Sequence, residues 1–192
     1  FQSPEVILSY SSEGLSRLSQ NLHRCMRTHL CRGKYKETVR PILLNSWEAS
    51  YFDFTGESLL KLAEQAADLG MEMFVLDDGW FGKRDSDLRG LGDWKVNEEK
   101  LGCTLGELIS KINDMGLKFG IWIEPEMVNE DSDLYREHPD WAFVIPGRRP
   151  NRSRHHLVLD FSRKDIVDNI YEQICSVVDQ GSVEYIKWDM NR

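Results

Sequence analysis

Apolar and polar positions along this chain change period several times, and each change marks an element. Residues 5–10 form a short apolar stretch that reads as a strand. Leu15, Leu18, Leu22, Cys25, Met26 and Leu30 then recur at helical spacing, which predicts a helix from Gly14 to about Leu30. From Pro41 the rhythm alternates. Ile42-Leu-Leu-Asn-Ser-Trp47 is an apolar run that ends in polar and aromatic residues. Thr55 caps a predicted helix with Leu59, Leu62, Ala63 and Ala66 on one side and Gly70 as its stop. Residues 71–78 read as a strand and are followed by a long loop rich in Gly, Asp and Trp. Thr104 and Glu107 have the spacing of a capping box, opening a helix that Gly116 closes. Residues 117–124 are the next strand, with a helical turn expected near residues 132–138. Residues 157–160 read as a fourth strand, and Ser162 as the cap of a helix running to Gly181. Residues 185–192 close the series as a strand.

Strands that alternate with helices at this spacing pair in parallel. The fold class expected is α/β. A doubly wound sheet and a (β/α)8 barrel both fit the alternation, and the strand ends favour the barrel. Trp47, Asp77, Asp78, Trp122, Glu124, Asp160 and Asp189 all stand at or beyond carboxyl ends of predicted strands, where barrel active sites are built. A closed barrel takes about 250 residues, whereas this chain has 192. The expectation is therefore the first part of a TIM barrel, about five strands, over residues 41–192. Residues 1–40 are read as a connector, a short strand and a linker helix leading out of an earlier domain.

Net charge is −8, which argues against a general nucleic-acid or anionic-membrane surface. No apolar run approaches the roughly 20 residues of a membrane span. The four cysteines have neither metal-ligand spacing nor disulfide-scaffold density, so reduced thiols and a cytoplasmic location are expected. No metal and no cofactor are expected.

In the last strand, alternation places Lys187, Asp189 and Asn191 on one face and Ile186, Trp188 and Met190 on the other. A carboxylate between a cation and an amide is costly to bury without a purpose. Carboxylates and tryptophans around one barrel mouth suit a sugar: carboxylates take strong hydrogen bonds from hydroxyls, and indole faces stack on pyranose rings. Glycoside hydrolysis also needs carboxyl groups as acid and nucleophile. A rival reading makes Asp77, Asp78, Glu124 and Asp189 metal ligands, weakened by the lack of a histidine at those strand ends.

Leu76-Asp-Asp-Gly-Trp80, Gly120-Ile-Trp-Ile-Glu-Pro-Glu-Met127, Tyr185-Ile-Lys-Trp-Asp-Met-Asn-Arg192 and the Asn45-Ser-Trp-Glu48 turn closely resemble the α-galactosidases of glycoside hydrolase family 36. The resemblance runs from about Glu13 to Arg192. It implies a retaining exo-enzyme acting on terminal α-galactosyl residues of melibiose- and raffinose-type oligosaccharides, in a parent that is a homo-oligomer. Asp189 stands at the position of the family's nucleophile. Asp77 and Asp78 match the pair that holds the 4- and 6-hydroxyls, Lys187 and Asn191 match hydroxyl-binding positions, and Trp47 and Trp122 match aromatic walls. Arg154 matches a substrate-contacting arginine. The family's acid/base lies past Arg192, so the isolated chain is expected to be nearly or fully inactive. A galactosyltransferase of the raffinose-synthase type and a non-catalytic sugar-binding barrel are the alternatives.

Overall fold

Four short apolar runs pair in parallel to make the central sheet of this protein, seen in a computed structural model that describes residues 3–191. The chain divides between Arg40 and Pro41 into two compact units.

In the first unit the predicted helix forms as α1, Leu15–Cys25, and continues as a wider π turn over Met26–Leu30. It is amphipathic, but none of its residues is buried within the described chain. The strand expected at residues 5–10 does not form. A strand needs a partner ladder for its N–H and C=O groups, and this stretch has none among the described residues; Val6 and Leu8 are exposed instead.

The second unit carries the sheet, in the order β1 (Leu43–Asn45), β2 (Met73–Leu76), β3 (Lys118–Ile123), β6 (Val183–Trp188). All three pairings are parallel. Every residue of β2 is buried, as expected of a strand covered on both faces. A one-turn helix, α2 (Trp47–Ser50), follows β1 directly, and α3 (Gly56–Asp68) returns the chain to β2. Short α4 (Glu98–Leu101) and then α5 (Leu105–Asp114) lead to β3. Leu59 and Ala63 of α3 and Leu108 and Ile112 of α5 join Phe74, Leu76, Phe119 and Ile121 of the sheet in one apolar core.

The helix starts are set by side chains. The Thr55 hydroxyl accepts the Ser58 N–H, and the Ser58 hydroxyl accepts the Thr55 N–H. Thr104 and Glu107 make the same reciprocal pair, satisfying donors that have no partner inside a helix.

Residues 157–160 are not the fourth barrel strand. β4 (Met127–Asn129) and β5 (His156–Val158) form a separate antiparallel pair, with α6 (Asp133–Glu137) between them. The barrel-type sheet thus has four strands among the described residues, not about five. A short apolar run looks the same whether its partner is parallel or antiparallel, so only its pairing with β4 in the folded chain settles this. Nor does Ser162 cap the following helix, α7 (Lys164–Val178). The cap position belongs to Arg163, and the Ser162 hydroxyl donates to Asp160 instead. No helix of the described residues is long and apolar enough to cross a membrane.

Candidate active site

The carboxyl ends of the four parallel strands meet at one cavity of about 200 Å³, lined by Trp47, Asp77, Asp78, Trp122, Arg154, Lys187, Asp189 and Asn191. These are the eight residues selected from the sequence. The volume is below the 300–1,000 Å³ of pockets that take drug-sized ligands, and suits a single small ring. Three other hollows are larger; none is lined by these strand ends.

Asp77 and Asp78 leave β2 buried, and each meets a cation. Lys187 Nζ lies 2.9 Å from Asp77 Oδ2, and Asn45 Nδ2 donates to the same oxygen. The Asp77 N–H is taken by the Ser46 hydroxyl (3.0 Å), so the end of β1 fixes the end of β2. Asn45 Oδ1 also accepts the Trp47 N–H, starting α2 and turning the half-buried Trp47 ring toward the cavity. Asp78 is held by a fork from Arg84, through Nε at 2.9 Å and Nη2 at 2.7 Å. Burial pushes the Asp78 carboxyl up, and the Arg84 charge opposes it. A planar guanidinium suits this geometry because it offers two parallel donors to one carboxylate. The loop closes over Arg84 at Gly90, where φ is +79° and a Cβ would lie 2.8 Å from the Arg84 backbone nitrogen. A side chain there would be both strained and obstructed.

Asp189 lies just past β6, and its N–H continues the ladder to the Ile123 carbonyl at 2.8 Å. Its Oδ2 receives two donors: the Trp122 indole Nε1 at 3.0 Å and Asn191 Nδ2 at 2.9 Å. Partial burial works to raise this carboxyl, but those two bonds and the nearby Lys187 charge outweigh it, and it sits below the ordinary value. Hydrogen bonds to the charged form favour that form. Lys187 therefore acts on Asp189 through its charge while its direct ion pair is with Asp77.

The Trp122 ring is almost fully buried and stacks on Phe81 (centroids 6.2 Å apart, planes within 9°), while its N–H is given to Asp189. Trp80 and Trp94 pack in the same cluster, and Trp80 Nε1 donates to the Trp122 carbonyl. Arg154 reaches the cavity from the loop before β5. Its backbone lies in the left-handed region (φ 53°), and its nearest carboxylate is Asp87 at 3.9 Å. No group of three or more His, Cys, Asp or Glu placed to hold a metal ion occurs among the described residues. Asp77 and Asp78 instead carry Lys187 and Arg84 where the rival reading put a cation.

Sequence reasoning did not single out Arg84, Asn129 and His156, all buried behind this cavity. Asn129 accepts from Arg84 and from the Leu91 N–H, and donates to the Asp87 and His155 carbonyls. No local signal set Arg84 apart, since Lys83 and Arg89 stand in the same loop.

The whole of residues 1–192 matches the Melibiase family model. The chain belongs to the Melibiase family. It is 63% identical over 192 residues to "Bifunctional alpha-galactosidase/sucrose kinase AgaSK" of Mediterraneibacter gnavus, covering all of this chain and 20% of that protein. It is 52% identical to "Alpha-galactosidase AgaA" of Geobacillus stearothermophilus, covering 26% of that protein. Among solved structures, the GH36 α-galactosidase AgaB of Geobacillus stearothermophilus superposes with a TM-score of 0.90 at 51% identity, over 94% of this chain and 25% of that one. A variant of AgaA in complex with raffinose gives 0.87 at 50% identity, over 90% and 24%. This Melibiase-family chain thus spans about a fifth to a quarter of the relatives' length, and its α/β sheet matches the corresponding part of their structures.

Proposed function

We propose that this chain supplies the galactose-recognising wall and the nucleophile of a retaining exo-α-galactosidase acting on melibiose- and raffinose-type oligosaccharides. Asp189 attacks the anomeric carbon and forms an ester to the galactosyl group, while an acid protonates the departing oxygen. Water then cleaves the ester, with the same acid now acting as base. Asp77 and Asp78 hold the 4- and 6-hydroxyls, and Lys187 and Asn191 hold other ring hydroxyls. Trp47 closes one side, the Trp122 N–H steadies the nucleophile, and Arg154 reaches in from the rim. The proton donor comes from outside residues 1–192. The reading uses no metal and no cofactor.

One observation carries it. A carboxylate kept ionised by two N–H donors shares a single-ring cavity with a cation-paired second carboxylate and an aromatic ring. A nucleophile has to be ionised, and sugar recognition needs fixed, strong acceptors. The test uses a polypeptide of the relatives' length that contains these residues. A fluorinated galactoside should trap the enzyme with the label on the peptide carrying Asp189, and Asp189→Asn should lower kcat by several orders of magnitude. The 192-residue chain alone should not turn over p-nitrophenyl α-galactoside. Label on any other peptide overturns the reading.

A further inference from the structure

Behind the cavity wall a line of buried polar side chains joins Asp78 to Asp189. Arg84 forks onto Asp78 and donates through Nη1 to Asn129 Oδ1 at 3.1 Å. Asn129 Nδ2 donates to the Asp87 carbonyl, and His156 Nε2 lies 3.1 Å from that same carbonyl. A carbonyl only accepts, so the proton of the neutral imidazole sits on Nε2 and Nδ1 keeps a lone pair. Nδ1 faces Glu124 Oε2 at 3.9 Å. Both side chains are fully buried, and neither of these two atoms has any other hydrogen-bond partner. The other Glu124 oxygen, Oε1, accepts the Asn191 N–H at 2.9 Å, and Asn191 Nδ2 donates to Asp189.

Two bare acceptors cannot face each other in a dry interior without a large loss, because each forfeits its water and gains nothing. A proton between them removes the conflict. The ring does not hold it: burial, with the charge of Arg84, brings His156 down to about 4. Burial pushes the Glu124 carboxyl the other way, upward, against the bonds from Asn191. The groups that bear on this pair are Asp189 beyond β6, Arg84 and Asp87 from the loop after β2, and Arg154 before β5.

We propose that Glu124 is a positioning residue held as a neutral carboxylic acid, its O–H directed at His156 Nδ1 and its Oε1 fixing Asn191, and through it Asp189. The gap is about 1 Å beyond hydrogen-bond reach, which a small rotation of either side chain closes. Neutrality matters because an ionised Glu124 would set a second negative charge behind the nucleophile at low dielectric. The role in catalysis rests on the assignment of Asp189 above; the protonation state does not.

Infrared spectroscopy of the 192-residue chain at pH 7 tests the protonation directly. A protonated-carboxyl band is expected, shifted by carbon-13 labelling of glutamate and absent in Glu124→Gln. The unsubstituted labelled protein decides the point even if the variant does not fold. In the longer enzyme, Glu124→Leu should lower kcat about 10²-fold, as expected of a misplaced nucleophile, with KM within about threefold. Glu124→Gln copies the neutral acid and should recover most of that loss. No acid band, a band unmoved by glutamate labelling, or Glu124→Gln as damaging as Glu124→Leu would each overturn the proposal. Inactivity of the unsubstituted enzyme on galactosides would instead sink the functional reading, while the band still decides the state of Glu124.

Discussion

Two N–H donors on one oxygen of Asp189 set how that residue responds to pH. Its carboxyl is lowered, so the folded protein gains stability from the ionised form above the usual carboxylate range, and loses it as pH falls through the lowered value. Trp122→Phe keeps a ring against Phe81 and removes one donor. A hydrogen bond to a charged group is worth about 1.5–3 kcal/mol. The Asp189 carboxyl should therefore rise, the acidic limb of the kcat/KM profile should move to higher pH, and kcat/KM should drop about 10- to 100-fold, checked by pH–rate measurements on the longer enzyme. Arg84 tests the opposite wall. Its guanidinium and Asp78 are both buried, and breaking a buried pair from one side costs about 3–5 kcal/mol. Arg84→Met should show that loss in urea unfolding of the chain. Asp189 and Asp78 were legible from the sequence because a residue's place at a strand end follows from local pattern. Arg84 was not, because its partner Asn129 lies 45 positions away in the chain, and only the folded loop brings them together.

At the scale of elements, the approach of β3 to β6 depends on one missing side chain. The register shifts between Phe119 and Gly120. A Cβ on Gly120 would come within 2.9 Å of the Tyr185 ring and 3.1 Å of its carbonyl oxygen. Gly120→Ala forces β6 outward, and overpacking of this kind costs about 1–3 kcal/mol. Because Trp122 and Asp189 lie on these two strands' ends, the same change should weaken their hydrogen bond. The expected result is a lower urea midpoint with an upfield-shifted indole N–H resonance for Trp122. The helices were readable because Thr55, Thr104, Gly70 and Gly116 act within one turn of themselves. The pairing of residues 156–158 with 127–129 was not, since the same apolar triplet fits a barrel strand equally well. Ser162 failed as a cap for a local reason: its hydroxyl is committed to Asp160.

At the scale of the whole chain, β6 has a single partner, β3, among the described residues, and its outer side leaves Ile186 and Trp188 exposed. An open edge of this kind is a template for another strand. The 192-residue chain should self-associate with rising concentration in sedimentation experiments, and Trp188→Lys should reduce that association. The described walls of the cavity, by contrast, all come from residues 47–191. On the proposed mechanism, a piece that has these walls and no proton donor is a lectin. It should hold free galactose reversibly, discriminate against glucose, and release the sugar unaltered.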